Sequence, residues 1–254
     1  MIVALCFVNG HTHADHISKP LLHWTQSNWL GTGFYSVDQS EVFHISTPIV
    51  FPVFVHKKIA YQFSSRVSFG LAGFRLLDFA PPTELTTLSF LPGFQIKYRL
   101  SNRWQLKSYA HAGLGGALAQ HKELSYAVNT GFKSRYQFNI GKWYTKLGHE
   151  IQLAKYHETR WSPNTFVSFN HGIDVIPPFR FTPLTSVFDI GFFAIHTLFN
   201  PKAFHHIDDL SWTLKLGFHI GKVKPGSLNL RGGLYYVAGD ERLRGIRFNF
   251  GVPL

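Results

Sequence analysis

Three histidines at the start of the chain, His11, His13 and His16 (HTHADH), have the spacing of metal ligands. Imidazole nitrogens so close in sequence could converge on one transition ion. His205 and His206 stand beside Asp208 and Asp209, a nitrogen and oxygen donor set that suits a divalent cation on a loop. Neither group brings a fixed geometry with it, so no metal and no cofactor is expected. Ser168, Asn170 and His171 are the residue types of a nucleophile, an orienting group and a base. They lie on one extended stretch, where successive side chains alternate faces. Ser168 and Asn170 therefore turn inward and His171 outward. The three cannot converge locally, no catalytic residue is assigned, and the chain is expected not to be an enzyme. The glycine clusters Gly31 with Gly33 and Gly113 with Gly115 and Gly116 lack the Lys-Ser/Thr of a phosphate loop. Glycines of this kind relieve crowding and let strands bend.

The elements that hold these residues follow from composition and period. The chain has 254 residues, 15% charged and 16% aromatic, with one Cys. A typical soluble domain is about 25% charged. Aromatics this dense exclude disorder, and a single Cys excludes a disulfide scaffold. No charge-free run of about 18 apolar residues occurs, which excludes a bundle of membrane helices. The net charge of +11 is spread singly along the chain rather than clustered, so nucleic acid is not an expected partner.

The dominant period is two, the signature of strands. From Tyr61 the odd positions read Tyr61, Phe63, Ser65, Val67, Phe69, Leu71, and the even ones Gln62, Ser64, Arg66, Ser68, Gly70. The stretches from Tyr126 and from Leu210 repeat the pattern, as does the chain end. Twelve segments result, approximately 23–37, 42–55, 59–75, 85–100, 103–118, 124–140, 143–157, 165–176, 182–199, 209–221, 227–238 and 243–254. Most exceed the ~5–6 residues usual in soluble proteins and match the ~9–11 needed to cross a bilayer. Their apolar rows are almost free of charge, as a lipid-facing surface must be, since a charge there costs about 2–4 kcal/mol. The expected fold is an all-β, antiparallel up-and-down transmembrane barrel of about twelve strands. Pro48 and Pro52 weaken the second segment as a paired strand.

The connections sort into two alternating classes. Tight ones are His56 to Lys58, Ser101-Asn102, Gly141-Lys142, the Pro177-Pro178 region, and Gly221 to Ser227. The others are acid-rich: Asp38 to Glu41, Asp78 to Glu84, His121 to Glu123, His157 to Asn164, Asn200 to Asp209, and Ala238 to Arg242. Short periplasmic turns alternating with longer outer loops are what such a barrel requires, with both termini periplasmic. Residues Ile2 to Val8, followed by Thr12 and Ala14, read as a signal peptide over 1–14, its positive start missing, with the barrel over 15–254.

Strand parity sends most of the positive charge inward. Arg66, Lys97, Arg99, Lys107, Lys133, Arg135, Lys146, Lys215, Arg231 and Arg247 share the inner face, opposed there only by Glu150, Asp174 and Asp189. Two readings stay open: a lumen packed by salt bridges and water, or a pore that attracts anions or an acidic peptide. His149 and His196 fall on the lipid-facing side.

Two stretches carry a resemblance: PGFQIKYRLSNRWQLKSYAHAGLG (Pro92 to Gly115) and TGFKSRYQFNIGKWYTKLGHEI (Thr130 to Ile151). A Pro-Gly strand, a polar turn before a Trp, a glycine-rich strand and then Gly-x-Lys-Ser-Arg-Tyr resemble the solitary outer-membrane autotransporter-like β-barrel family of Gram-negative bacteria. The resemblance covers roughly a fifth of the chain. It implies a twelve-stranded translocator-like barrel in the outer membrane without a secreted passenger, and no catalytic residues. Ile246, Phe248, Phe250, Val252 and Leu254 resemble the terminal signal read by the barrel-assembly machinery, with Leu254 where that signal usually has Phe. The partners so implied are outer-membrane lipid, lipopolysaccharide and that machinery. The chain is expected to be a monomer with a structural or transport role. A passive pore for small anions and an outer-membrane lipid hydrolase are the alternatives.

Overall fold

In a computed structural model, the described residues are 32–37, 40–72, 84–117, 123–157, 164–181, 187–200, 211–222, 231–240 and 243–250. They form thirteen strands and no helix: β1 (Gly33–Val37), β2 (Ser40–His56), β3 (Ile59–Ala72), β4 (Glu84–Arg99), β5 (Trp104–Ala117), β6 (Glu123–Ile140), β7 (Trp143–His157), β8 (Asn164–Ile176), β9 (Arg180–Phe181), β10 (Phe188–Phe199), β11 (Trp212–Lys222), β12 (Arg231–Gly239) and β13 (Arg244–Phe250). Every strand but β9 pairs antiparallel with the strand on each side of it, β10 also with the short β9, and β1 pairs with β13. The sheet therefore closes into a barrel of twelve strands. Closure removes the unpaired edge that an open sheet would expose.

The alternating pattern fixes which side faces out. Phe94, Phe132, Ile151 and Leu216 are exposed on the outer wall, Phe94 at 66%. For exposed rows of large apolar residues on a closed wall, a bilayer is the environment that suits them. Near the short turns Trp104 packs edge-on to Tyr136 at 6.3 Å, and its indole nitrogen donates to Ser134 Oγ at 2.9 Å. Amphipathic rings of this kind settle at a membrane–water interface.

Pro48 and Pro52 do lie inside a strand, β2, and the ladder to β3 survives them. Ser46 turns both its N–H and its C=O to Thr32 Oγ1, at 2.9 Å each. Residues of the same parity point their backbone groups to that same side in an antiparallel strand. Pro48 and Pro52 share that parity, so the N–H they lack is not owed to β3. A register shift follows between Pro52 and Phe54, where a bulge is tolerated.

Three boundaries differ from the sequence expectation. The segment expected at 182–199 is β10 from Phe188, preceded by the two-residue β9, whose Phe181 stacks on Phe188 at 5.6 Å. The Pro177-Pro178 region is thus not the turn into β10: it links β8 to β9, and β9 then pairs with β10. Conversely, the connection expected as a longer loop at Asp38 to Glu41 is two residues, since Val37 pairs with Ser40. Turn length depends on where pairing ends, and strand pairing absorbs polar residues that read as loop. The first strand is described from Gly33; the rest of the segment expected at 23–37, the signal peptide over 1–14, and the two histidine groups lie outside the described residues. The tight turns at Lys57-Lys58 and Gly141-Lys142 place Lys57 (φ 50°) and Gly141 (φ 59°) in the left-handed region that two-residue hairpins use.

Candidate functional site: the lumen

The inward side chains form three zones along the bore. Toward the long-loop end, Leu91, Ala127, Phe166, Phe199, Val237 and Leu243 make a buried apolar cluster. Phe166 and Phe199 pack there with ring centroids 5.6 Å apart. Apolar side chains that meet inside a barrel exclude water from that section.

Toward the short-turn end, an ionic cluster covers the arc from β7 to β12. Lys146 donates to Asp174 Oδ2 at 2.7 Å, and His219 Nε2 lies 2.8 Å from Asp174 Oδ1. Arg231 Nη1 lies 2.7 Å from His219 Nδ1. A guanidinium can only donate, so Nδ1 accepts and Nε2 carries the proton given to Asp174. Arg231 also pairs with Asp189 at 2.6 Å. Two cations and two carboxylates balance. Asp174 and His219 are fully buried, and buried charges of this kind must be paired.

Between these zones lies a cavity of about 570 Å³. Arg66, Lys97, Lys107, Lys133, Arg135, Lys215 and Arg247 line it, and among the described lining residues Glu150 is the one carboxylate. Glu150 is held by Lys133 at 2.9 Å, by the Tyr109 hydroxyl at 2.7 Å and by Asn170 at 3.2 Å. Arg135 donates to Gln105, and the Arg247 guanidinium sits 4.9 Å from the Tyr235 ring centre. Parity grouped all thirteen charged residues on one face; the fold divides them. Lys146, Arg231, Asp174 and Asp189 belong to the balanced cluster, and Arg99 is exposed at the short-turn rim opposite Gln105. The remaining seven cations and Glu150 surround the cavity. Of the terminal signal, Ile246 and Phe248 are exposed on the outer wall and Phe250 pairs with Gly232; Val252 and Leu254 lie outside the described residues.

Glycines decide how side chains reach one another here. Tyr109 on β5 stands over its register partner Gly131 on β6 and so reaches Glu150 on β7. His219 on β11 stands over Gly191 on β10 and reaches Asp174 on β8. His111 crosses Gly93 to Ser64 at 3.0 Å, and Tyr235 crosses Gly217 to meet Phe193 edge-on at 5.4 Å. A Cβ at Gly131 would overlap the Tyr109 ring, and one at Gly191 the His219 ring. Gly191→Ala is therefore expected to push His219 off Asp174 and lower the unfolding free energy by about 1–3 kcal/mol, the cost of a buried polar group left unbonded. Gly232→Ala, with open space around its Cβ, serves as the control. Urea unfolding in vesicles that gave equal stability for both variants would contradict this role.

Tyr109, His111, Gln95 and His219 were not singled out in the sequence, although each shares the parity of the inward lysines. Parity carried the signal, but a charge inventory overlooks neutral donors. Ser168 is buried inside and Asn170 bonds Glu150 and Thr197, while His171 faces out and lies 3.3 Å from His196. His149, His171 and His196 are direct cross-strand neighbours on that outer face.

No protein-family model matches the chain, and no curated protein matches it in sequence. The crystal structure of the β domain of the Bordetella autotransporter BrkA superposes with a TM-score of 0.61 at 10% identity, covering 86% of this chain and 93% of that one. The fold is that of an autotransporter β domain.

Proposed function

We propose that this chain is an integral outer-membrane barrel of the translocator type with a non-enzymatic, structural or transport role. The observation that carries this reading is the separation of side chains by the wall: exposed Phe, Leu and Ile outside, ion pairs and cations inside. Only a closed wall with lipid outside and a polar interior suits both sets. The tight turns would face the periplasm and the acid-rich connections the cell exterior.

The apolar cluster of Phe166, Phe199 and Val237 supports a bore that is closed at rest. The cationic cavity below it favours a second reading, a passive pathway for small anions. Heat-modifiable migration of protein extracted from the outer membrane is expected, because a closed barrel resists detergent until it is boiled. Recovery from the periplasm without detergent would sink the membrane reading. In planar bilayers the wild type is expected to conduct rarely. Phe166→Ala with Phe199→Ala is expected to give steady, anion-selective channels. Steady conductance by the wild type would replace the closed bore with the passive pore.

A further inference from the structure

The outer wall carries one row that does not suit lipid. His149 on β7, His171 on β8 and His196 on β10 are direct register partners and face outward together. Their neighbours on the same face of each strand are apolar: Leu147 and Ile151, Phe169 and Ile173, Ala194 and Leu198. An ionisable group on a membrane-facing surface is costly and points to a function and a partner. His196 lies three residues from Phe199, the end of β10 toward the long loops. A strand tilted by about 40° rises roughly 2.5 Å per residue along the barrel axis, which sets His196 about 8 Å below that rim. Trp212 packs beside His196 at 6.4 Å, and indole rings settle at the membrane–water interface. The row is therefore within reach of ions from the outer surface.

His196 Nδ1 lies 3.3 Å from His171 Nε2, and the two rings cross at 74°. That separation is longer than the ~2.7–3.2 Å of a good N–H bond. Two nitrogens on a tetrahedral zinc, each at ~2.0–2.1 Å, lie about 3.3–3.4 Å apart. As a hydrogen-bonded pair the two rings are incomplete, because His171 Nδ1 is buried with no bond among the described residues. Phe169 packs against His171 at 5.6 Å and Trp212 against His196 at 6.4 Å, so both rings rest on an aromatic bed. We infer that His171 Nε2 and His196 Nδ1 together hold a divalent transition ion of the zinc class on the outer wall. The inference rests on the barrel register described above. Imidazole suits such an ion, whereas magnesium and calcium take oxygen ligands. No third His, Cys, Asp or Glu among the described residues completes the set, so water fills the other positions. His149 stands on the far side of His171 from His196 and is not a ligand. On binding, the proton shared by the two rings moves to the far nitrogen of its own ring, and none leaves the pair.

The test uses the full chain folded in phosphatidylcholine vesicles and titrated with Co2+, which takes zinc's geometry and quenches indole fluorescence at short range. Co2+ is expected to quench Trp212 saturably. Zn2+ is expected to displace it and restore the fluorescence, as the affinity order of such sites requires, while excess Mg2+ is expected to do neither. His171→Leu and His196→Leu are each expected to weaken Co2+ and Zn2+ by at least about tenfold, the least that even an indirect partner of a metal ligand is worth. His149→Leu is expected to leave binding unchanged. Trp212→Phe is expected to keep the Zn2+ binding seen calorimetrically and lose the quenching. Leucine suits the lipid side, so the leucine variants are expected to keep heat-modifiable migration, which separates lost binding from lost folding. Heat-modifiable barrels that show no saturable quenching would overturn this inference alone. So would quenching that survives both His171→Leu and His196→Leu, or an equal loss in His149→Leu. Loss of heat-modifiable migration by the wild type would overturn the membrane-barrel reading and this inference with it.

Discussion

Asp174→Ala is expected to lower the unfolding free energy of the barrel by about 3–5 kcal/mol, the cost of removing one partner from a buried ion pair. Asp174 is fully buried and accepts from Lys146 and His219 at 2.7 and 2.8 Å. Without it the Lys146 ammonium loses the carboxylate it bonds, and the proton on His219 Nε2 loses its acceptor. Arg231 keeps Asp189 at 2.6 Å, so the damage centres on β7, β8 and β11. Asp174→Asn keeps an oxygen for His219 but loses the charge for Lys146, and its loss should fall between wild type and alanine. The double variant Lys146→Met with Asp174→Leu is expected to recover most of the stability, since an apolar pair of similar volume needs no desolvation of charge. Urea unfolding in vesicles measures all three. An alanine variant within about 1 kcal/mol of wild type, the range of an exposed pair, would show that the cluster is solvated rather than buried.

Phe132→Arg is expected to cost about 2–4 kcal/mol, the depth-dependent penalty for a cation on the lipid side of a barrel. Phe132 is 45% exposed on the outer wall, and the next residue, Lys133, turns into the lumen. One step along the strand thus separates a forbidden cation from a tolerated one. Gln137→Arg, on the inner face at the short-turn end of the same strand, should cost far less. The difference between the two variants, in folding yield into vesicles and in urea midpoint, tests the sidedness of the wall. If Phe132→Arg folded as readily as Gln137→Arg, the outer face would be in water and the bilayer placement would fail.

Much of the wall was legible in the sequence because a strand has a local period. Tyr61 to Leu71 alternate in sequence and alternate across β3, since the pleat has no other way to place successive side chains. Boundaries were legible where a turn has local chemistry, as at Gly141-Lys142. They were not legible where pairing with a distant strand decides them, as at Phe188 and at the Val37–Ser40 hairpin. Pro48 and Pro52 misled because a proline harms a strand only on the side its N–H would serve, and that side depends on register.

The inner face was legible as a set but not as an arrangement. Parity alone assigned Arg66, Lys107, Lys146, Arg231 and their companions to one side of the sheet. Which of them pair, and with what, depends on how strands far apart in sequence are staggered. Asp174 and His219 meet across a strand and 45 residues of sequence, over a glycine on the strand between them. Alternation is a property of neighbouring residues, so the sequence by itself settled the strand-rich wall, its apolar outside and its cationic inside. Closure, stagger and the glycine gaps are properties of the whole ring. Only the tertiary structure could divide one pool of charge into a balanced cluster and the lysines and arginines that line the cavity.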